Sequence, residues 1–364
     1  MKDLSNISVV LPSLDPDEKL HAVIEGLLEY GFTDIILIND GSKPENLHYF
    51  EDEVAAHPDV IHLLHHEVNK GKGAALKNAF TWFLKNRPKA AGVVTVDGDN
   101  QHHPADTRAC CEKMLETGKM VLGCRDFSLD HVPARSRFGN RTTSAIFKIF
   151  VGMTISDTQT GLRAIPKKEL KLISTVKGDR FEYETNMLLA MKQNCSPFEE
   201  VKIRTVYIEE NASSHFHPIR DSWRIYKLLL GNFFKFMSAS LVSTLVDLLL
   251  FTLLGLVITF LPSVSGMDLN VLLCTAIARV CSAALNFKLN QSFVFNLKKC
   301  PGAVGRYILL SIGVMIVSGV SVSLLTTLLP WLHPTLIKVV VDTLLFFVNY
   351  RVQRAWVFPP EKAA

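Results

Sequence analysis

The sequence has no CxxC pair and no zinc-type ligand spacing, and its seven cysteines are an odd number. It also has no apolar signal core near its N-terminus, where residues 7–11 form only a short strand-like run. These absences argue against a disulfide framework and a cleaved signal peptide. We therefore expect reduced cysteines and an N-terminal part that stays in the cytoplasm.

Acidic residues are scarce in the C-terminal part of the chain. Residues 231–364 contain four acidic and ten basic residues, whereas residues 1–230 contain 31 acidic and 29 basic ones. Because 48% of the residues are hydrophobic, the chain can bury a large core, which excludes a disordered protein. Neither part is basic enough to indicate a nucleic-acid partner.

Four long apolar segments lie in the C-terminal part. They comprise residues 236–261 and, approximately, 269–287, 307–329 and 336–350. The first is longer than the ~20 residues that span a bilayer. The first and third links contain no lysine or arginine, whereas the middle link and the C-terminus contain several. We therefore predict four transmembrane helices in two hairpins, with the N-terminal part, the middle link and the C-terminus in the cytoplasm.

The ionisable residues inside these predicted spans include Asp247, Arg279 and Asp342. Charged side chains in a membrane are costly, and they are usually paired or functional. We expect a structural ion pair that involves Arg279. A contact with a lipid phosphate or a sugar is the alternative.

The second and fourth apolar segments end in similar sequences. NFKLNQSFVF at 286–295 matches NYRVQRAWVF at 349–358. We expect Asn286 and Asn349 to hydrogen-bond across helices near the cytoplasmic interface, with the aromatic residues at headgroup level. Together with the opening FFKFMSASLVSTLVD, this repeat resembles the GtrA-like membrane family over roughly residues 232–360. That family consists of small four-helix proteins linked to polyprenyl-linked sugars.

The N-terminal part alternates apolar, β-branched runs with amphipathic segments. The runs, which indicate buried parallel strands, are 7–11, 35–38, 60–64, 93–96 and 120–123. Segments such as 18–30 and 74–85 are typical of helices. This alternation predicts a Rossmann-like α/β domain with a mostly parallel sheet, which binds ligands beyond the carboxyl ends of its strands.

Polar loops follow all five predicted strands. They are PSLDPDE at 12–18, NDGS at 39–42, NKGKGAA at 69–75, DGDNQHHP at 97–104 and GCRD at 123–126. The glycine-rich one lacks both the GxGxxG of a dinucleotide site and the GK[ST] of a P-loop, so NAD-binding and ATPase functions find no support.

The fourth loop carries a pair of carboxylates. Asp97 and Asp99 are separated by one glycine, so both can approach a single divalent cation, and Gln101 can add an amide oxygen. Such oxygen ligands suit Mg²⁺ or Mn²⁺, which carboxylates often share with substrate phosphates. Two aspartates that only cap turns are the alternative.

In order and spacing, these loops resemble family-2 inverting glycosyltransferases with the GT-A fold, and most of all the dolichyl-phosphate mannose synthase branch. ARSRFGN at 134–140 and SDTQTGLRAI at 156–165 belong to the same resemblance. Asp15-Pro16 replaces the family's usual Asn-Glu, and Asn39 replaces the first Asp of its Asp-Asp-Gly-Ser. Both departures lie where the base is normally held, so the nucleotide, GDP or UDP, stays open.

The resemblance implies roles for individual residues at the donor site. The metal ligands are Asp97, Asp99 and Gln101. The residues that bind the nucleotide-sugar donor are Pro12, Leu14, Asp15, Asp40, Lys72 and Asp97, with Lys72 near the phosphates. The catalytic set is Asp99, Asp157 and Arg163, the last two near the donor sugar together with Gly161.

The same resemblance implies that Arg125, Ser136 and Arg137 grip the acceptor phosphate. The alternatives are a salt bridge to a strand-end carboxylate for Arg125 and Arg163, and a helix cap for Ser136. A lipid monophosphate is already an anion near pH 7, because its second pKa is about 6. We therefore predict in-line inversion at the sugar C1 without an essential general base.

The sequence predicts three regions: a GT-A domain over residues 1–215, an amphipathic interfacial helix over 216–235 and a four-helix transmembrane domain over 236–364. For residues 216–235, the alternative is a helix that packs on the core of the N-terminal domain.

The predicted function is metal-dependent sugar transfer from a GDP-mannose or UDP-glucose type of donor to dolichyl or undecaprenyl phosphate. The protein would be a multi-pass cell-membrane protein with a cytoplasmic catalytic domain, and homo-oligomerisation stays open. One alternative is a processive polysaccharide synthase, although the sequence has no Gln-x-x-Arg-Trp after the N-terminal domain. The other is a translocator of lipid-linked sugars whose N-terminal domain only binds.

Overall fold

The computed structural model describes residues 3–130, 132–206, 218–259, 263–264, 267–297 and 302–359. By internal contacts the chain divides into two compact units, one built mainly from residues 1–227 and the other from residues 228–361. The predicted boundary at residue 215 lies outside the described residues.

A seven-stranded sheet organises the described part of the first unit. Its strands are β1 Ile7–Ser13, β2 Ile35–Asn39, β3 Ile61–His65, β4 Gly92–Thr95, β5 Met120–Cys124, β6 Arg163–Pro166 and β7 Phe198–Lys202. Their order is β3-β2-β1-β4-β6-β5-β7, and β6 is antiparallel to both of its neighbours. The other pairings are parallel. The five predicted strands and the mostly parallel sheet are confirmed.

Helices connect these strands and cover the sheet. They are α1 Lys19–Glu29, α2 His48–Ala56, α3 Lys72–Asn86, α4 Pro104–Thr117, α5 Ala134–Ile146, α6 Lys167–Ile173 and α7 Glu182–Gln193. Every side chain from Ile7 to Leu11 is at most 1% exposed. Both faces of β1 are therefore covered, which explains why its sequence is a continuous apolar run rather than an alternating one.

Parallel pairing aligns the ends of the central strands. Ser13 in β1 is paired with Asn39 in β2, and Val10 in β1 with Thr95 in β4. The loops that follow β1, β2 and β4 therefore begin at one edge of the sheet, where the sequence predicts the active site.

The C-terminal part of the chain is helical. Its helices are α8 Pro218–Val257, α9 Leu269–Leu289, α10 Ala303–Leu328 and α11 Pro334–Val352, and two short strands, β8 Ser263–Val264 and β9 Met267–Asp268, lie between α8 and α9. Within the described ranges, three helices are long and apolar enough to cross a membrane: α8, α9 and α10. α11 is present as a helix, but that it crosses the membrane as the fourth span remains a prediction.

The predicted interfacial helix is not a separate element. Residues 218–235 form the N-terminal part of α8, which continues without a break to Val257. Their location at the membrane surface remains a prediction.

Asp247 and Asp342, the two acidic residues inside the predicted spans, are each paired with a basic residue. Arg279 Nε lies 3.7 Å from Asp247 Oδ2, and Ser282 Oγ donates a hydrogen bond of 2.9 Å to Asp247 Oδ1. The structure thus contains the ion pair expected for Arg279. Asp342 lies 2.8 Å from Lys338 Nζ, four residues earlier on α11.

The two sequence repeats meet each other. Asn290 Nδ2 donates a hydrogen bond of 3.0 Å to Gln353 Oε1, and these residues are 63 positions apart. The rings of Phe295 and Phe358, separated by the same offset, stack with centroids 5.2 Å apart. Both helices end in a π-helical turn, Asn290–Val294 and Gln353–Val357.

The two repeated asparagines differ in their partners. Asn286 accepts a hydrogen bond of 3.0 Å from the Tyr307 hydroxyl on α10, which is the expected contact across helices. Both asparagines accept a hydrogen bond from the amide four residues later: Asn286 from Asn290 at 2.7 Å, and Asn349 from Gln353 at 3.3 Å. The hydrogen bond between the repeats is made by the next amide pair, Asn290 and Gln353.

Candidate active site

Asp97 lies in a partly buried cluster of charges. Its Oδ1 is 2.7 Å from Nζ of Lys72, the first residue of α3. The same Nζ lies 3.1 Å from Oε1 of Glu184, a buried residue of α7. Burial disfavours the charged form of Asp97, but the Lys72 charge and the nearby His102 outweigh it and hold the pKa of Asp97 well below its usual range. Asp97 is therefore ionised at neutral pH.

The other oxygen of Asp97 lies in a confined space. His102 Nε2 is 3.6 Å from Oδ2. A Cβ atom on Gly161 would lie 2.1 Å from the same oxygen, so the close approach requires glycine. Thr95 Oγ1 donates a hydrogen bond of 2.6 Å to the Gly161 carbonyl, which holds this loop against β4.

Asp99 has the electrostatic signature of a cation ligand. Burial and the negative charge of Asp97 raise the pKa of Asp99. Its Oδ1 accepts a hydrogen bond of 3.1 Å from the Gln101 N–H, which closes the loop into a tight turn. A divalent ion bound here would offset the effect of burial and of the Asp97 charge on the ionised form of Asp99.

The donor set suits a metal that the substrate helps to bind. Among the described residues, no cluster of three or more His, Cys, Asp and Glu side chains could hold a metal ion. Asp97 and Asp99 would supply two carboxylates and Gln101 an amide oxygen, and Mg²⁺ commonly completes such a set with substrate phosphates and water. The residues present therefore fit Mg²⁺ or Mn²⁺ bound together with a nucleotide.

The loops after β1 and β2 are joined through Asp15. Asp15 adopts a left-handed backbone conformation, with φ of 48°. Its N–H donates a hydrogen bond of 2.8 Å to Ser42 Oγ, and its Oδ1 accepts one of 2.8 Å from the Lys43 N–H. Pro12 is the penultimate residue of β1, and Leu14 follows that strand directly. These predicted donor-binding residues therefore share one strand end.

Asp40 fixes the loop that carries Lys72. It is 4% exposed, and its Oδ1 lies 2.8 Å from His66 Nδ1. Its two oxygens also accept hydrogen bonds from the N–H groups of Lys70 and Gly71 at 3.0 and 2.8 Å. These contacts support a role for Asp40 in orienting the start of α3.

Arg125 and Asp157 bind each other. Arg125 Nε and Nη2 lie 2.7 and 3.2 Å from the two oxygens of Asp157, and Asp157 is fully buried. The predicted acceptor residue and the predicted catalytic residue are thus joined in a forked ion pair, which is the alternative that the sequence left open for Arg125.

Arg163 is buried, with 1% of its surface exposed. Its guanidinium donates hydrogen bonds of 2.9 Å to the carbonyl oxygens of Thr160 and Glu184. Arg163 therefore links the loop of Gly161 to the helix of Glu184. The salt bridge left open for Arg163 is not among these contacts. The arrangement argues for a positioning role rather than contact with the sugar.

Ser136 and Arg137 lie in the first turn of α5. Arg137 Nη2 donates a hydrogen bond of 2.9 Å to the Leu129 carbonyl, so this side chain turns back to the preceding loop. The N-cap position is Pro133, so Ser136 is not the helix cap. Asn140, one turn further, donates a hydrogen bond of 2.7 Å to the Ser156 carbonyl and joins α5 to the loop of Asp157.

Two residues of the cluster had no role assigned from the sequence. In the sequence, Glu184 is far from the other residues of the cluster, and it belongs to no motif that the sequence analysis identified. His102 lies in the loop DGDNQHHP next to Gln101, and its position in that loop was the available signal.

The sheet order, with antiparallel β6 inserted between β4 and β5, and the strand-end carboxylate pair define a GT-A-type transferase domain. Residues 8–170 match the family model "Glycosyl transferase family 2", and residues 232–358 match "GtrA/DPMS, transmembrane domain". The chain therefore consists of a family-2 glycosyltransferase domain followed by a GtrA/DPMS transmembrane domain.

Relatives of this chain include proteins of archaea and bacteria. An uncharacterized protein of Methanocaldococcus jannaschii is 29% identical, over 63% of this chain and 93% of its own. A UDP-N-acetylglucosamine–dolichyl-phosphate N-acetylglucosaminyltransferase of Methanococcus voltae is 27% identical, over 62% and 95%. A polyprenol monophosphomannose synthase of Mycolicibacterium smegmatis is 23% identical, over 55% and 77%.

A solved structure is also similar. The glucosyl-3-phosphoglycerate synthase of Mycobacterium tuberculosis shares 16% identity, with a TM-score of 0.46 over 62% of this chain and 75% of its own.

Proposed function

We propose that this protein transfers a sugar from a nucleotide-sugar donor to a polyprenyl phosphate at the cytoplasmic face of the membrane. The observation that carries the proposal is the Asp97–Asp99 pair at the sheet edge, on a chain that also has a GtrA/DPMS membrane domain. The relatives named for dolichyl-phosphate and polyprenol transfer support the acceptor class.

The donor would bind where the loops after β1, β2 and β4 meet. Asp97, Asp99 and Gln101 would hold Mg²⁺ or Mn²⁺, and the metal would stabilise the charge that develops on the departing nucleoside diphosphate. Asp15 and Ser42 join the two loops that would receive the nucleotide. Lys72 adds a positive charge next to the metal ligands.

The acceptor's own charge would replace a catalytic base. Asp157 is fully buried and bound to Arg125, so it is poorly placed to take a proton from a hydroxyl group. A lipid phosphate needs orientation and charge pairing instead. The first turn of α5 has no side-chain cap and contains Ser136 and Arg137. It would favour an anion, because the first N–H groups of a helix lack partners within the helix and carry its positive dipole end. An anionic nucleophile is consistent with inversion in a single in-line step.

A product assay tests the proposal directly. The full chain in detergent micelles is incubated with Mn²⁺, a short-chain polyprenyl phosphate and a panel of UDP- and GDP-sugars, and the lipid product is identified by mass. We expect one hexosyl unit on the phosphate and no product in excess EDTA. Addition of several sugar units would favour a processive synthase. Donor binding without any transfer would favour a binding-only domain.

The metal ligands give a first prediction. Asp99→Asn keeps one neutral oxygen donor but loses a charge, so we expect transfer to fall by about tenfold or more. The melting temperature should stay close to that of the wild type, because removing one of two repelling carboxylates does not strain the fold. Transfer rates over a Mn²⁺ titration, with the exposed Asp59→Asn as a control, check this expectation. Undiminished turnover in the variant would contradict the metal assignment.

Membrane orientation gives a second prediction. Trp331, in the link between α10 and α11, is 74% exposed. A cysteine at this position should react with a membrane-impermeant maleimide in intact cells, whereas a cysteine at exposed Asp59 in the first unit should react only after lysis. Labelling in the opposite pattern would place the catalytic domain outside the cell.

A further inference from the structure

The ammonium group of Lys72 lies where the metal ligands need a positive charge. Its Nζ is within 2.7 Å of Asp97 and 3.1 Å of Glu184, and the side chains of Lys72 and Glu184 are only 18% and 10% exposed. Asp97, Asp99 and Glu184 would otherwise bring three carboxylates together at one edge of the sheet. Buried carboxylates without a partner are strongly unfavourable, so this lysine balances the cluster in the metal-free protein.

We propose that Lys72 is a resident cation, whose ammonium group pairs with Asp97 until a divalent metal and a nucleoside diphosphate bind together. When the ammonium group leaves Asp97, it stays paired with Glu184. The inference rests on the proposed function, because it concerns the same donor site. It predicts that the metal alone binds weakly, since the metal must first displace an ammonium group from its ligand.

The nucleotide removes this obstacle. When Lys72 leaves Asp97, it loses one anionic partner, and the phosphates of the nucleotide provide another. Metal and nucleotide should therefore strengthen each other's binding by the same factor. Part of this coupling arises from the lysine, in addition to any direct coordination of the phosphates by the metal.

The backbone under Lys72 restricts the change to its side chain. Asp40 holds the N–H groups of Lys70 and Gly71. Gly71 adopts φ of 99°, and a Cβ atom there would lie 2.4 Å from the Asp179 carbonyl oxygen. The start of α3 is thus fixed, and Glu184 on α7 defines where the displaced ammonium group remains.

Mn²⁺ binding to the full chain in detergent micelles tests the proposal, with free Mn²⁺ measured by electron paramagnetic resonance. Titrations are made without nucleotide, with GDP and with UDP. For Lys72→Met we expect Mn²⁺ alone to bind about tenfold more tightly than to the wild type, because no cation competes for Asp97. The additional strengthening by nucleotide should be smaller than in the wild type.

A double variant separates this effect from a simple change of net charge. Lys72→Met with Glu184→Gln removes one positive and one negative charge, so a net-charge effect predicts wild-type affinity for Mn²⁺. Displacement of a resident cation predicts tighter binding than in the wild type. If Lys72→Met alone fails to fold, this charge-balanced variant carries the test. Lys77→Met is the matched control, because Lys77 lies on the same helix and pairs with Asp179 outside the cluster.

The outcomes distinguish this inference from the proposed function. The resident-cation role would be overturned if folded Lys72→Met and the double variant both bind Mn²⁺ within about twofold of the wild-type affinity. A factor of two is only a fraction of the expected tenfold. Absence of Mn²⁺ binding to the wild type with either nucleotide would instead overturn the metal-dependent function and this inference with it.

Discussion

Replacing Gly161 with alanine should lower sugar transfer by about a hundredfold, because a misplacement of 1 Å at a reacting centre has effects of that size. The added Cβ atom would lie 2.1 Å from Asp97 Oδ2, which is far inside van der Waals contact. Either the carboxylate or the loop of Gly161 must move, and β4 and the Thr95 hydrogen bond restrict the loop. We therefore expect Asp97 to be displaced from the position in which it can hold the metal.

The stability of this variant should change much less than its activity. Overpacking of one methyl group costs about 1–3 kcal/mol of unfolding free energy. Gly139→Ala is a matched control, since nothing lies within 4 Å of its Cβ position in α5. There we expect wild-type transfer and a small gain in stability of about 0.5–1 kcal/mol. Transfer assays and melting curves on both variants provide the comparison, and a fully active Gly161→Ala enzyme would contradict the assigned position of Asp97.

Removing Arg125 should have the largest effect on stability. Arg125→Met leaves the fully buried Asp157 without its partner, and an uncompensated buried charge costs about 3–5 kcal/mol. Asp157→Asn in the same chain removes that charge and keeps one of the two oxygens that accept hydrogen bonds from the backbone N–H groups of residues 125 and 159. We therefore expect the double variant to recover most of the lost stability in a urea titration.

Measuring transfer to lipid phosphate distinguishes the two roles proposed for Arg125, orientation of the acceptor and charge pairing with Asp157. If the guanidinium also orients the acceptor, the double variant should regain stability but remain defective in transfer, with the donor affinity retained. Recovery of both quantities together would show that Arg125 only balances Asp157. Lys77→Met with Asp179→Asn, an ion pair with an exposed carboxylate, should change neither quantity and serves as the control.

The sequence predicts the central part of the first unit well, for a physical reason. β1 and β2 are covered on both faces, so their side chains are mostly apolar and stand out from the polar loops that follow them. The ends of parallel strands converge, which allowed the active-site edge to be inferred before any contact was known. β6 and β7 were not predicted, because Arg163–Pro166 has only Ala164 and Ile165 between an arginine and a proline, and Phe198–Lys202 is largely charged.

Contacts between distant segments explain what the sequence could not provide. Glu184 meets Lys72 only because α7 lies against the start of α3, and no local pattern records that contact. Arg125 and Arg163 were both assigned to substrates, but strand ends also bring arginines close to buried partners. Arg125 found the carboxylate of Asp157, and Arg163 found backbone carbonyls. Residue type and spacing alone do not distinguish a ligand contact from such internal pairing.

The meeting of Asn290 with Gln353, and of Phe295 with Phe358, has a consequence for the origin of the membrane unit. In an isologous dimer, residues that occupy equivalent positions in the two copies touch each other at the two-fold axis. The repeated segments after α9 and α11 are therefore paired as the equivalent segments of two identical subunits would be. Duplication and fusion of a self-associating hairpin would produce such a pairing. Divergence since then is visible on the same axis, where one copy supplies an asparagine and the other a glutamine.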